Sequence, residues 1–405
     1  MLIALEEKRQ AETINLIPSE NYPSVAVRRA VGSVLMNKYS EGYPGRRYYQ
    51  GNEYIDEIEN LAIERAKKLF GVPRANVQPY SGSPANAAVY FALLDPGDTI
   101  LGMSLAAGGH LTHGHPKITF SGKYFNSVQY NLGKDGIIDY DEIERLAKKH
   151  KPKLIIAGIT AYSRTLDWER FAQIADLAGA YLLADISHIA GLVATATHPS
   201  PKNHAHLITT TTHKTLRGPR GAIIMTTKKG IAKDASLPGK IDKAVFPGLQ
   251  GGPHNNQTAA VAIALRQAQG KSFKNYINQV LKNASALAKE LQKYNFNIVS
   301  GGTDNHMFLV DLRNKGILGK DFAIALEKAG IVVNYNAIPN DPNPPMNPSG
   351  IRVGTPAITT QGMGREEMKQ IAVWFNEVAG DLDDMKVLLK IKSEVGTACR
   401  RFPLI

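Results

Sequence analysis

Four short apolar runs constrain this chain more than anything else in it. They are Lys153–Thr160 (KLIIAGIT), Tyr181–Asp185 (YLLAD), Leu207–Thr212 (LITTTT) and Ala222–Thr226 (AIIMT). Each is too short for a buried helix and reads as a buried strand. Between and before them lie amphipathic helical segments. Glu53–Phe70 places Ile55, Ile58, Leu61, Ala62, Leu69 and Phe70 on one face, and Gly71 and Pro73 end it. Asp139–His150 turns Ile143, Leu146 and Ala147 inward, and Trp168–Ala178 reads as a further helix. Apolar strands alternating with helices predict an α/β fold whose mainly parallel sheet is covered on both faces.

The texture changes after about Ala259. One long helical stretch is expected from there to Lys293, then strand-like pieces at Asn297–Val299 and Met307–Asp311 and a helix at Asp321–Ala329. Ile338–Gly350, rich in Pro and Asn, reads as an irregular loop. The expected organisation is an N-terminal arm over 1–35, a large domain over 36–265 and a smaller C-terminal α+β domain over 266–405.

Composition excludes several classes. With 43% apolar residues the chain is not disordered in the main, and no window approaches ~18 unbroken apolar residues. Cys399 is the only cysteine, so an internal disulfide and an all-thiolate metal site are impossible. Met1–Gln10 carries Glu6, Glu7, Lys8 and Arg9 rather than an apolar leader, and a cytoplasmic protein is expected. The formal charge of +12 comes from basic residues spread along the chain, which describes a solvated surface better than a nucleic-acid footprint.

Open α/β sheets bind ligands at the carboxyl ends of their strands. Lys214, just past LITTTT, is either a surface lysine or a Schiff-base amine with a depressed pKa. Asp185 ends YLLAD and needs a donor or cationic partner. It is either a helix cap or the counter-ion of a pyridinium nitrogen, as pyridoxal phosphate chemistry requires. Ser81-Gly82-Ser83-Pro84 precedes a helix, with Ser83 placed to cap it and Pro84 in its first turn, and such an end suits a phosphate. The histidines of Gly108–His115 lack the acidic ligand spacing of a metal site. They read as structural, or as groups that stack on a planar ligand. Tyr39–Tyr49 (YSEGYPGRRYY) is either a base-stacking loop or one that carries tyrosine hydroxyls and the Glu41 carboxylate into a cleft. Arg352, expected in an irregular stretch, suits a substrate carboxylate or a surface ion pair.

These segments resemble serine hydroxymethyltransferase, a fold-type I (aspartate aminotransferase-like) pyridoxal phosphate enzyme. The resemblance rests on Leu16-Ile17-Pro18-Ser19-Glu20-Asn21-Tyr22, on Asn37 through Tyr49, on Ser81-Gly82-Ser83 and on Gly109-His110-Leu111-Thr112-His113-Gly114. It continues through Asp185 and His188, Thr209 through Leu216, Gly218-Pro219-Arg220-Gly221, Gln250 through Pro253 and the Arg352 segment. It implies that Lys214 carries the cofactor and that Asp185 pairs with the ring nitrogen. His110 would stack on the ring, with Thr160, His188 and Arg220 beside it. Ser81, Gly82, Ser83, Thr211 and His213 would hold the phosphate, helped by Tyr39 and Gly252 from a neighbouring subunit. Ser19, Tyr49, His188 and Arg352 would receive serine, with Glu41 and Tyr49 handling protons. Tetrahydrofolate would meet Glu41, Leu105, Gly109, Leu111 and Asn336.

The implied reaction is hydroxymethyl transfer from L-serine to tetrahydrofolate in a homodimer with shared active sites, or in a tetramer. No metal, membrane or nucleic acid is implied. Thr160 stands where many members have Ser, and Pro344-Pro345-Met346 replaces a common Ser-Pro-Phe on the folate side. A folate-independent aldolase acting on 3-hydroxy amino acids and a basic RNA-binding protein are the alternatives.

Overall fold

The computed structural model describes residues 1–404. Seven strands form the main sheet. In chain order they are β1 (Arg74–Asn76), β2 (Thr99–Met103), β3 (Asn126–Tyr130), β4 (Leu154–Gly158), β5 (Tyr181–Asp185), β6 (Leu207–Thr211) and β7 (Ala222–Thr226). Their order across the sheet is β1-β7-β6-β5-β4-β2-β3, and β7 alone runs antiparallel to its neighbours.

Period-two alternation sends the strand side chains into two separate cores. Leu101, Ile155, Ala157, Leu182, Ala184, Ile208 and Ile223 face one side. There they pack under the helices Glu53–Phe70, Tyr140–His150, Trp168–Leu177 and Asn255–Ala268. Ile100, Leu154, Ile156, Leu183, Leu207, Ala222 and Ile224 face the other, against the helices Gly82–Leu93 and Leu237–Lys243. The continuous apolar runs of the sequence are the imprint of this two-sided burial.

The remaining chain builds a four-stranded sheet in the order Asn297–Ile298, Met307–Asp311, Gly350–Gly354, Asn334–Asn336. It packs with the helices Gly319–Lys328, Arg365–Gly380 and Met385–Arg400 around its own core. Residues near the N-terminus join this core: Ile14 and Leu16 are buried in it, and Ile14–Asn15 pairs with Ile331–Val332.

The expected single helix from 259 to 293 is two helices, Asn255–Ala268 and Lys271–Lys293. Gly270 separates them in an extended conformation, since glycine is the residue whose helical state costs most in entropy. The second helix gives Phe273, Ile277 and Val280 to the main core and Leu287 and Leu291 to the C-terminal one. Strands β1 to β3 escaped the sequence reading because they are short or carry polar residues. Arg352 lies in the regular strand Gly350–Gly354, not in an irregular stretch. The preceding loop is tied by Asp341, which accepts from the Ser349 hydroxyl at 2.6 Å and the Asn343 N–H at 3.0 Å. No helix among the described residues is long and apolar enough to cross a membrane.

Phe322 is fully buried between Phe296 and Phe375, with ring centroids 6.1 and 5.7 Å away. Phe322→Ala is expected to cost about 3–5 kcal/mol through the cavity it leaves, read as a lowered denaturant midpoint.

Candidate active site

The carboxyl ends of β4, β5 and β6 and the N-terminus of the helix Gly82–Leu93 open onto one cavity of ≈ 500 Å³. Ser19, Ser81, Gly82, Ser83, His110, Thr160, Asp185, His188, Thr211, His213, Lys214, Arg220 and Arg352 all line it. So do Leu105, Gly109, Leu111 and Asn336, with the Leu105 and Leu111 side chains partly open to solvent.

Asp185 ends β5 almost wholly inside the protein. Burial alone would favour its neutral form. Hydrogen bonds from His113, Ser187 and Asn86 outweigh that and hold the carboxyl far below the usual carboxylate range. The Ser187 hydroxyl donates at 2.6 Å, the Asn86 amide at 2.9 Å, and His113 Nε2 lies 3.1 Å away. The His110 N–H donates to His113 Nδ1 at 3.1 Å, which assigns the ring proton to Nε2, facing the carboxylate. Asn86 is fixed in turn by the Thr209 hydroxyl on its carbonyl at 2.8 Å.

Lys214 follows β6 at the cavity wall. Its pKa is lowered to about 8 by burial and by the Arg352 and Arg220 cations, with Asp185 opposing. A fraction of the amine is therefore neutral, and nucleophilic, at physiological pH. Arg352 reaches in from the other sheet. It donates to Asn334 Oδ1 at 3.0 Å and to the Thr160 carbonyl at 2.6 Å, and no carboxylate among the described residues pairs with it. Burial lowers it to about 10, so it is a desolvated cation with donors left for an incoming carboxylate.

His110, His188 and His213 stay neutral. Burial first, then the neighbouring cations, hold His213 at about 3 and push His188 well below its ordinary value. His110 is lowered to about 4 by burial and by His113. His188 stacks on His306 with centroids 5.6 Å apart.

The helix beginning at Gly82 differs in detail from the sequence reading. Ser81, not Ser83, is its N-cap, and Ser81 makes no side-chain capping bond. Its hydroxyl and the first-turn N–H groups remain for an anion. Gly82 is required by close approach, since a Cβ there would lie 2.8 Å from Thr211 Cγ2. The Thr160 hydroxyl donates to the Gly109 carbonyl at 2.7 Å.

The remaining expected site residues lie elsewhere in the chain's own fold. Tyr39 and Gly252 flank a separate cavity of ≈ 620 Å³ with Tyr80 and His254. Tyr49 packs edge-on to Tyr39 at 5.2 Å, and Glu41 lies beside Gly251. None of Tyr39, Glu41, Tyr49 and Gly252 lines the Lys214 cavity. Their loop is pinned from below by Arg47, which pairs with Asp56 at 2.8 Å and Glu59 at 2.6 Å and is 4% exposed. Arg47 is thus spent inside the protein and cannot stack on a base.

Sequence reasoning missed the groups around Asp185. The His110-x-x-His113 spacing and Ser187, two residues beyond Asp185, were usable signals. Asn86 and His306 reach the site only through tertiary packing. Among the described residues no group of His, Cys, Asp and Glu side chains forms a metal site.

These residues fit pyridoxal phosphate. A nucleophilic amine and an ionised buried carboxylate share one cavity, a hydroxyl-rich helix end and a glycine cradle take an anion, and His213 Nδ1 is buried with no partner. The mainly parallel sheet with this set at its carboxyl edge defines a fold-type I pyridoxal phosphate enzyme. The family described as serine hydroxymethyltransferase matches residues 1–375. Curated proteins of that name are similar over nearly the whole chain. One from Acidothermus cellulolyticus is 56% identical over 99% of this chain and 94% of its own. Others from Sorangium cellulosum and Desulfotalea psychrophila are 54% and 56% identical over 99% of this chain and 93% of theirs. The chain belongs to the serine hydroxymethyltransferase family.

In the cofactor-free protein, Lys214 is expected to react with trinitrobenzenesulfonate half-maximally near pH 8, against 10.5 for an ordinary lysine. Peptide mass spectrometry across a pH series reads this directly; a Lys214 that tracks the surface lysines would refute the depressed pKa.

Proposed function

We propose that this chain carries out its family's reaction, reversible hydroxymethyl transfer from L-serine to tetrahydrofolate giving glycine and 5,10-methylenetetrahydrofolate, with the residue roles below. The observation that carries the reading is one cavity holding a depressed amine at Lys214, an ionised buried carboxylate at Asp185 and a desolvated arginine at Arg352 that lacks a carboxylate. Pyridoxal phosphate, when bound, supplies an aldehyde that captures amines and a protonated ring that accepts the electron pair of the breaking Cα–Cβ bond.

Lys214, as a neutral amine in the cavity, would hold the cofactor through its aldehyde. Asp185, kept ionised by His113, Ser187 and Asn86, keeps the proton on the ring nitrogen. Ser81, Gly82, Ser83, Thr211 and His213 bind the phosphate, and His110 and His188 offer neutral ring faces. Arg220, which lies 3.4 Å from His213 Nε2, adds positive charge beside the cofactor. Ser19 and Arg352 orient the serine carboxylate. Leu105, Gly109, Leu111 and Asn336 receive the folate at the cavity mouth.

Glu41 and Tyr49 handle protons at the hydroxymethyl group, and Tyr39 and Gly252 complete the phosphate site, all four from a neighbouring subunit. The support for this is their separation from Lys214 within one chain, together with exposed Val34, Met36, Tyr48 and Phe91 on the surrounding surface. The proposed assembly is therefore at least a dimer, in the cytoplasm. The aldolase alternative makes no use of Glu41 and Asn336, and the match to the serine hydroxymethyltransferase family favours neither it nor the RNA-binding alternative.

Chains carrying Lys214→Ala and chains carrying Glu41→Gln are each expected to be inactive in folate-dependent serine cleavage. Glu41→Gln should keep its cofactor spectrum. Co-expressed, they should regain about a quarter of wild-type activity, because each mixed dimer has one intact site. Absence of recovery would place Glu41 in the same chain's site or outside catalysis.

A further inference from the structure

A third cavity, of ≈ 370 Å³, lies behind Lys214 between the start of the helix Lys271–Lys293, the Tyr22–Val25 turn and the Thr360–Gln361 helix end. Its wall carries one cation, Arg217, and no acid. Arg217 Cζ sits over the Tyr276 ring, 4.0 Å from its centroid, with Phe273 at 5.6 Å. No carboxylate or hydrogen-bond acceptor among the described residues meets its guanidinium. A cation over an aromatic ring still has its N–H groups to offer, and those fork a carboxylate.

Three further features coincide there. Gln361 lines the cavity at 9% exposure, and both its amide atoms are buried without a partner. The helix beginning at Lys271 has no side-chain cap, and Ser272 of its first turn lines the same wall. Its positive end adds to the field of Arg217. Arg217 also holds a left-handed backbone, φ +54°, which costs a non-glycine residue energy and recurs at functional positions. Val25, Pro23 and Leu404 supply apolar wall opposite.

We propose that this cavity is a binding site for a small monocarboxylate with an apolar body, its head forked on Arg217 and its body against Val25 and Pro23. The site is separate from the catalytic one, where Arg352 is the carboxylate receptor. It is nonetheless close to it: the backbone N–H of Arg217 donates to the Lys214 carbonyl at 3.1 Å, and the Asn21 amide donates both to that carbonyl at 3.0 Å and to the Tyr276 hydroxyl at 2.8 Å. Burial of Arg217 lowers its pKa, as expected of a cation awaiting a counter-ion.

The test is calorimetric titration of the holoenzyme with acetate, butyrate and benzoate, with glycine saturating the Arg352 site. Butyrate or benzoate should bind one per chain with a Kd of roughly 1 mM or tighter, and acetate more weakly. Arg217→Met should weaken binding at least about tenfold. Gln361→Glu, which keeps Arg217 but places a negative charge on the wall, should abolish it. Glycine-binding spectra show that each variant is folded. No binding under glycine, or binding that Gln361→Glu leaves unchanged, would overturn the proposal.

Discussion

A carboxylate buried at the end of a strand is the constraint around which this site is organised. Asp185 stays ionised there because donors from His113, Ser187 and Asn86 offset the cost of burying its charge. That requirement reaches outward. His113 is oriented by the backbone of His110, and Asn86 by Thr209 on the next strand. The helix Gly82–Leu93 is therefore locked to β5 and β6 by its Asn86 side chain, and its N-terminus is held over the cavity where an anion would lie.

The second organising feature is the sign of the field. Lys214, Arg220 and Arg352 enter one cavity, and burial keeps His110, His188 and His213 neutral. Were these rings charged, the cations would repel one another and Lys214 would lose more of its basicity. Neutral rings instead offer flat, weakly polar faces, while the net positive charge suits ligands that carry a phosphate and a carboxylate.

The Tyr39–Tyr49 loop illustrates a division of labour between anchoring and presentation. Arg47 spends its donors on Asp56, Glu59 and the Ser40 and Gly42 carbonyls, and Gln78 braces Glu59 at 2.8 Å. With its middle fastened in this way, the loop turns Tyr39, Tyr48 and Tyr49 outward.

The sequence alone determined the α/β class, because apolar runs of strand length between helical periodicities have few other solutions. It also placed Lys214, Asp185 and the Ser81–Ser83 turn at strand and helix ends, where open sheets bind ligands. The regular strand around Arg352 was decided by its pairing with Met307–Asp311 and Asn334–Asn336, which overrides local preference. Only the folded structure brought Asn86 onto the Asp185 carboxylate, or Tyr276 and Gln361 around Arg217. Hydrogen bonds between residues tens to hundreds of positions apart depend on where the sheet brings them, and no local periodicity records that.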